Sequence, residues 1–326
     1  MNYNPLVSII IVTWNGKKYL RECISSLLDQ TYTHFEIIMV DNASTDGSVE
    51  LVKENFPIVR IIENDDNQGF AGGTNIGINN ANGELLALFN QDAVAKKDWL
   101  VKLIEEIELN ENIAAVAGKV YFYNDTYGKN AVSSTWSKID PYTGCAYNFT
   151  GDETANKVDY LTGCAMLVKK EIIDEIGLLD TGYFMYFDET DWCARMIRAG
   201  YDLMYVPSAI VKHVVSASLG EGDWKLYYME RSRIRFVLKN FDFTYIPIFV
   251  FFLFISTGLK FLKNVRKLNF RETRLRIKAI SWNMVNLRKT LKERQKDQSR
   301  LNKCISYNNS LPLRKYKIRL LEQYLF

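Results

Sequence analysis

Acidic and amide side chains collect at four places in this chain, each beside residues that turn or cap the backbone. Asp41 opens the run DNASTDGS, where a carboxylate can accept the ring N–H that uracil, thymine or guanine presents. Turn and cap chemistry alone explains the same run, with Asp46 or Ser48 capping a following helix. In NQGFAGGTNIG, Asn67 to Gly77, small residues let backbone N–H groups approach an anion at a helix start. That run lacks the Lys-Ser/Thr of a P-loop and the spacing of a dinucleotide fingerprint, and a glycine-rich turn without a ligand is the other reading. In Asn90-Gln91-Asp92 a carboxylate and an amide oxygen two residues apart can reach one hard cation, which would neutralise a departing diphosphate. The competing reading makes Asp92 a helix N-cap before AVAKKDWL. Asp188-Glu189-Thr190-Asp191 sits among aromatic residues, where desolvation and like-charge repulsion raise carboxyl pKa values as a general base requires. First-turn acids favoured by the helix dipole would look the same. His213, in IVKHVV, is a candidate metal ligand, although a histidine in a strand is more often structural.

These residues need a scaffold, and the pattern around them supplies one. Leu6 to Thr13 is a continuous β-branched run, followed by Asn15-Gly16 and by Leu20, Ile24, Leu27 and Leu28 at helical spacing. Strands are expected at 35–40, 58–62 and 85–89, alternating with helices at 48–55 and 73–82. This alternation predicts crossover units and a parallel sheet covered on both faces. In such sheets ligands sit beyond the carboxyl ends of the strands, where TWNG, DNASTDGS and NQDA all fall. A helix is expected at 98–109, then an irregular β-rich insert at 113–158 suited to acceptor contacts. Helices at 169–176 and 190–199, strands at 203–206 and 209–215, and a basic amphipathic helix at 227–238 complete the body.

The 326-residue chain is long enough for a sizeable core, and its net charge of +3 hides an asymmetry. Nineteen of its 41 Lys and Arg fall from Lys260 onward, against four of its 38 Asp and Glu, so an acidic body carries a basic tail. The preceding apolar segment, Phe243 to Leu262, approaches the length needed to span a bilayer, which favours a membrane over nucleic acid as the tail's partner. Spanning, lying in the interface and packing as a buried hairpin all fit that segment. The basic and apolar residues of 271–303 suit helices against anionic lipid, or a solvated helical face. Five scattered cysteines (Cys23, Cys145, Cys164, Cys193, Cys304) without a CxxC pair suggest neither a disulfide framework nor a zinc site and fit a reducing cytoplasm. The N-terminal VSIIIVTWNG lacks a basic n-region and a cleavage site, so export of the body is not expected.

Taken in order, TWNG, DNASTDGS, NQGFAGGTNIG, NQDA, LTGCAMLV, FDETDWCARMIRAGY and VPSAIVKH closely resemble family 2 glycosyltransferases, especially their rhamnosyltransferase-like branch, over Pro5 to Asn240. The resemblance implies an α/β GT-A fold with a mostly parallel nucleotide-binding sheet and flanking helices, here followed by a C-terminal helical membrane-associated extension. It divides the chain into a catalytic domain at 1–240, with a nucleotide-sugar half to about 95 and an acceptor half beyond, and a tail at 241–326. It also implies a nucleoside diphosphate sugar donor, UDP- or dTDP-linked, a Mg²⁺ or Mn²⁺ ion, and single displacement with inversion at the anomeric carbon. Thr13 and Asn15 would line the nucleotide pocket, Asp41 would hold the base, and Asn67, Gly69, Gly73 and Asn75, with Asn90, would border the ribose and diphosphate. Asp92 would bind the metal, with His213 as a second candidate ligand. Glu189, second in a paired-acid motif, would be the general base with Asp188 its rival, and Asp191 would orient the acceptor or the local network. Gly163 and Arg231 fall on the acceptor side, and Arg231, Arg233 and Arg235 are candidates to meet phosphates of a polyprenyl-diphosphate-linked glycan at the cytoplasmic face of a membrane. The chain departs from the family pattern at Asn90, where the metal motif usually begins with Asp, and at Glu189, where Asp is common.

Two other functions compete. A nucleotidyltransferase shares the sheet and the metal, but would carry a glycine-rich loop with Arg and Lys after the first strand, and TWNGKKYL has none. A non-catalytic sugar-nucleotide-binding or scaffold protein is suggested by Asn90 and the basic tail.

Overall fold

A computed structural model describes residues 4–124, 131–135, 137–148, 156–214, 222–266 and 270–301. Expectations for Cys304 and the tail after residue 301, for 125–130, 136 and 149–155 of the insert, and for Val215 lie outside the described residues. In chain order the elements begin β1 (Val7–Thr13), α1 (Lys17–Leu28), β2 (Phe35–Asp41), α2 (Ser48–Asn55), β3 (Arg60–Glu63), α3 (Gly69–Asn79), β4 (Leu85–Asn90), β5 (Ala93–Ala95), α4 (Trp99–Ile107) and β6 (Ile113–Phe122). Short strands β7 (Val132–Ser134), β8 (Ser137–Ile139), β9 (Ala146–Asn148) and β10 (Asn156–Lys157) follow, then β11 (Ala165–Lys169), α5 (Ile173–Ile176), α6 (Asp188–Arg198) and β12 (Asp202–His213). Four helices close the described chain: α7 (Asp223–Asn240), α8 (Ile246–Arg266), α9 (Arg271–Val285) and α10 (Leu287–Leu301).

The main sheet runs β10-β12-β6-β11-β4-β1-β2-β3, with β5 added to β12 and β7 to β6. β4, β1, β2 and β3 are mutually parallel, but β11 lies antiparallel between β4 and β6. The sheet is therefore mixed rather than mostly parallel. The chain enters β11 from the irregular insert rather than through a crossover helix, so nothing forces β11 to run with its neighbours. The two strands expected at 203–206 and 209–215 are one strand, β12, with a register shift between Val206 and Ile210.

Side chains of the central strands alternate between two cores, as a period of two requires. Val7, Ile9, Ile11, Ile37 and Met39 pack with α1, α2 and α4 on one face. Ile10, Ile38 and Val40 pack with α3 and α6 on the other. Each such fully buried side chain contributes roughly 1.5–3 kcal/mol, which is why β1 and β2 read as unbroken apolar runs. A third cluster joins Ile234, Phe236 and Val237 of α7 to Phe249 and Leu253 of α8.

The C-terminal helices pack on the body through α7. Among the described residues no helix is long and apolar enough to cross a membrane, which removes the spanning reading of 243–262. α8 instead forms an antiparallel hairpin with α9, pinned by Asn264 to Thr273 at 2.9 Å and by the Lys260–Glu272 ion pair.

Candidate active site

Strand register brings the first group of residues together. Thr13 pairs with Asp41 across β1 and β2, and Val12 pairs with Asn90 across β1 and β4, so all lie at the carboxyl edge of the sheet. Asp41 is 3% exposed, and its Oδ2 accepts the Ser44 N–H at 2.9 Å. Its Oδ1 is buried with no hydrogen-bond partner, and an unpaired buried carboxylate oxygen is costly unless a ligand donates to it. Asn15, held at a φ of 49°, donates its N–H to Ser44 Oγ at 2.8 Å and accepts the Thr45 N–H at 2.9 Å. It thereby fixes the turn beside Asp41. Thr13 donates to Gln91 Oε1, which also accepts the Trp14 N–H at 3.0 Å. Gln91 thus couples β1 to the end of β4, a role not expected for it.

The glycine-rich run is less open than its sequence suggests. Gly69 adopts a φ of +70° and lies so close to Phe184 that a Cβ would stand 2.3 Å from the Phe184 carbonyl oxygen. Asn67 Oδ1 accepts the Gly69 N–H at 2.9 Å, and the Phe184 carbonyl accepts the Phe70 N–H at 2.9 Å. The Gly69 and Phe70 amides, the first two of α3, are thus satisfied within the protein and are not free for an anion. Gly73 sits against Val12, where a Cβ would approach to 2.6 Å, so it serves the packing of α3 on β1. Asn75 donates to the Leu179 carbonyl and accepts the Leu179 N–H, tying α3 to the loop before α6 instead of offering its amide to a ligand.

Asp92 precedes strand β5, not a helix, so the N-cap reading falls away. β5 pairs with the end of β12 and sets His213 opposite Ala93. His213 Nε2 then lies 3.1 Å from Asp92 Oδ1 and 3.2 Å from Asn90 Nδ2. One carboxylate, one imidazole and one amide suit a hard divalent ion that completes its shell with phosphate oxygens and water. Among the described residues no group of three His, Cys, Asp or Glu could hold a metal without such help.

The paired acids open α6 after a contorted loop. Phe184, Tyr186 and Phe187 have φ values of 66°, 60° and 66°, left-handed conformations that cost about 1–3 kcal/mol each outside glycine. The loop is held by Ser232 Oγ donating to the Met185 carbonyl at 3.0 Å, by Arg231 donating to the Gly182 and Tyr183 carbonyls, and by Phe184 stacked on Tyr228. It delivers two carboxyls into different surroundings. Asp188 is 2% exposed, and desolvation pushes its carboxyl well above the usual range, with the Glu189 charge and a hydrogen bond to Glu189 adding to the effect. Glu189 is half-buried and accepts a hydrogen bond from the Tyr160 hydroxyl at 3.0 Å on Oε1. Gly163 makes room for it, since a Cβ there would lie 3.2 Å from Glu189 Cβ and Cγ.

Residues 163–164 tie this pair to the metal candidates. The Asn90 N–H donates to the Cys164 carbonyl at 2.9 Å. Burial, with the charges of Asp92 and Glu189 adding to it, pushes the Cys164 thiol up to about 12, so the two carboxylates flank one residue. Asp41, Asp92 and Glu189 therefore converge on one edge of the sheet through Thr13, Gln91 and Cys164.

Of the residues expected near the acceptor, Asp191 takes its alternative place in the local network and Arg231 is buried away from any acceptor. Asp191 is fully buried, and although burial works against its charge, Lys239 and Arg195 outweigh that and hold its carboxyl below the usual range. It pairs with Arg195 Nε at 3.0 Å and Lys239 Nζ at 2.9 Å, and Lys239 continues to Asp180 and Asp297. Asp191 thus belongs to a buried ionic network linking α6, α7 and α10. Arg231 is likewise buried, sandwiched between the Tyr228 and Trp282 rings at 4.6 and 4.2 Å. Arg233 pairs with Glu230 and Arg235 with Asp180, so none of the three arginines is left for a lipid phosphate. A cavity of about 930 Å³ lies at the far end of the sheet, lined by Asn82, Glu84, Glu108 and Lys169, and is separate from the converging acids.

Residues 8–177 match the family model described as glycosyl transferase family 2. The chain is 36% identical over 256 residues to an uncharacterized glycosyltransferase of Haemophilus influenzae, covering 74% of each chain. Among solved structures it is similar to GalNAc-T7 with UDP, GalNAc and Mn²⁺, at a TM-score of 0.63 and 16% identity, over 76% of this chain and 50% of that one. It is also similar to the mannosyltransferase PcManGT of Pyrobaculum calidifontis in complex with GDP-Man and Mn²⁺, at a TM-score of 0.56 and 15% identity, over 87% and 88%. The two structural likenesses speak to the fold.

Proposed function

This chain belongs to glycosyl transferase family 2, and we propose that it transfers a sugar, with inversion, from a nucleoside diphosphate donor to a hydroxyl of a glycan or polyprenyl-diphosphate-linked acceptor. The observation that carries the reading is the buried Oδ1 of Asp41, unpartnered at the same sheet edge as Asp92 and Glu189. A pyrimidine or guanine ring N–H is the donor it fits, with Thr13 and Asn15 holding the walls of that pocket. UDP and dTDP carriers both offer such an N–H, and rhamnose remains the sugar suggested by the resemblance of the sequence. A glycan destined for the cell surface, assembled at the cytoplasmic face of a membrane, is the acceptor setting that suits the basic tail.

The two acids divide the labour. Asp188 is buried and desolvation pushes its carboxyl well above the usual range, which disfavours its charged form, whereas Glu189 beside it is only half-buried. Tyr160 holds Glu189 Oε1 in place. Glu189 takes the proton of the acceptor hydroxyl as its oxygen bonds to C1, and the C1–O bond to diphosphate breaks on the opposite face. Asp92 and His213 are the residues that would hold Mg²⁺ or Mn²⁺, and both similar structures contain Mn²⁺. Such an ion supplies electrostatic stabilisation of the departing diphosphate.

A thermal-shift screen of UDP-, dTDP- and GDP-sugars with Mn²⁺ tests the reading. A donor at one hundred times its Kd adds about 2.7 kcal/mol of stability. Stabilisation by none of the three carriers would refute it, and stabilisation without transfer or donor hydrolysis would favour a scaffold.

A further inference from the structure

We propose that the α8–α9 hairpin is a docking face for an anionic lipid surface, on which the protein lies without crossing it. The inference rests on the peripheral location proposed above but stands apart from the transfer chemistry. α8 divides lengthwise. Its inner side is engaged by the body: Phe249 and Leu253 are buried in the α7 core, Asn264 bonds Thr273, and Ser256 and Thr257 meet Arg276. Its outer side carries Phe251, Ile255, Leu259, Leu262 and Val265, recurring every three or four residues, with Phe254 beside them. Phe251, Phe254 and Leu262 are 61%, 68% and 60% exposed. From Phe251 to Val265 this stripe runs about 21 Å along the helix. An apolar strip of that length on a folded surface marks an interaction face.

α9 borders the stripe with charge. Its inner side, Thr273, Arg276, Ala279 and Asn283, packs inward, leaving Arg274, Ile277, Lys278, Met284 and Val285 exposed. From Phe243 to Lys292 the only acidic residue is Glu272, and it is already paired with Lys260. Aromatic and aliphatic side chains beside unbalanced Lys and Arg match an interface of acyl chains and anionic headgroups. The same charge argues against a second copy of this chain as the occupant, because a two-fold contact would set basic face against basic face.

The face also adjoins the site. Lys278 lies over the Tyr227 ring, Tyr227 packs on Tyr228, and Tyr228 stacks on Phe184 of the loop that delivers Glu189. A protein docked this way holds the loop that delivers Glu189 near lipid, where a membrane-borne acceptor would be presented.

Co-sedimentation of the full chain with vesicles tests the proposal, using phosphatidylcholine alone or mixed with phosphatidylglycerol. Binding to the mixed vesicles is expected, weakening as salt is raised. The exposed pairs Phe251→Glu/Phe254→Glu and Arg274→Glu/Lys278→Glu should each weaken it about tenfold or more, with circular dichroism unchanged. The two pairs lie on separate helices, so loss of fold in one leaves the other decisive. Protein remaining in the supernatant with mixed vesicles, equal binding to both vesicle types, or variants that bind like the wild type would overturn the proposal. So would a dimer by light scattering that Phe251→Glu/Phe254→Glu converts to monomer. None of these outcomes alters the donor thermal shift, so failure here and failure of the transfer reading are separable.

Discussion

Replacing Gly163 with Ala tests whether Glu189 acts through its position. A methyl there would stand 3.2 Å from Glu189 Cβ and Cγ, inside ordinary van der Waals contact, so Glu189 must give way by a few tenths of an ångström. Gly163 has no left-handed φ, so the backbone tolerates the change and the perturbation is confined to the contact. A displacement of about 1 Å at a reacting group can cost about 10²-fold in rate. A third of that shift scales to about a fivefold loss, or about 1 kcal/mol in the barrier. Gly163→Ala should therefore lower kcat about fivefold, measured as nucleoside diphosphate release with acceptor present. The donor KM should stay within about twofold, because Asp41 and Thr13 belong to the other side of the site. An unchanged kcat, or a loss that appears wholly in donor KM, would refute the contact as a determinant of base position.

Asp188→Asn should keep transfer within about tenfold of wild type, since burial disfavours the charged form of Asp188 and an amide reproduces the shape of the neutral one. Its folded carboxyl lies above the usual value, so its contribution to stability is complete below about pH 4 and is lost as pH rises toward the folded value. The variant should match or exceed the wild type in urea unfolding at neutral pH. Asp191→Asn weakens a buried ionic network and should cost about 3 kcal/mol near pH 6. Because Lys239 and Arg195 hold that carboxyl low, the gap from wild type should narrow as pH falls below about 4. Asp41→Ala removes a charged acceptor and should weaken donor binding by about 10- to 100-fold in the thermal-shift titration.

The strands that place the site were visible because burial on both faces writes itself into sequence as unbroken runs such as VSIIIVT and LLALFN. The acids at their ends were visible for a related reason: a carboxylate following such a run lies at the sheet edge whatever the rest of the chain does. Long-range partners were not. Gln91 bridging to Thr13, and Tyr160 reaching Glu189, depend on side chains brought together across 78 and 29 residues. Arg231, Arg233 and Arg235 looked like one basic patch, yet at 3.6 residues per turn Arg233 points away from the other two. The partner of Arg233, Glu230, is an i,i+3 neighbour on the same helix, but the partner of Arg235, Asp180, lies 55 residues away, where packing and not local pattern decides. Gly73 read as a ligand contact because a helix packed closely on a strand selects the same small residue as a phosphate loop, whereas the Asn75 amide is taken by the Leu179 backbone 104 residues on, which no local pattern records. The antiparallel course of β11 left no mark, since a short apolar strand carries no record of its direction.

The central claim is that Asp41, Asp92 and Glu189 surround one activated sugar and that Glu189 accepts the proton. Glu189→Gln measures it most directly, by assaying transfer and donor-induced thermal shift on the same preparation. Transfer should fall by roughly 10²–10⁴-fold while the thermal shift stays within error of wild type, because the amide keeps the shape but takes no proton. Transfer within tenfold of wild type, or a thermal shift lost together with transfer, would contradict the account.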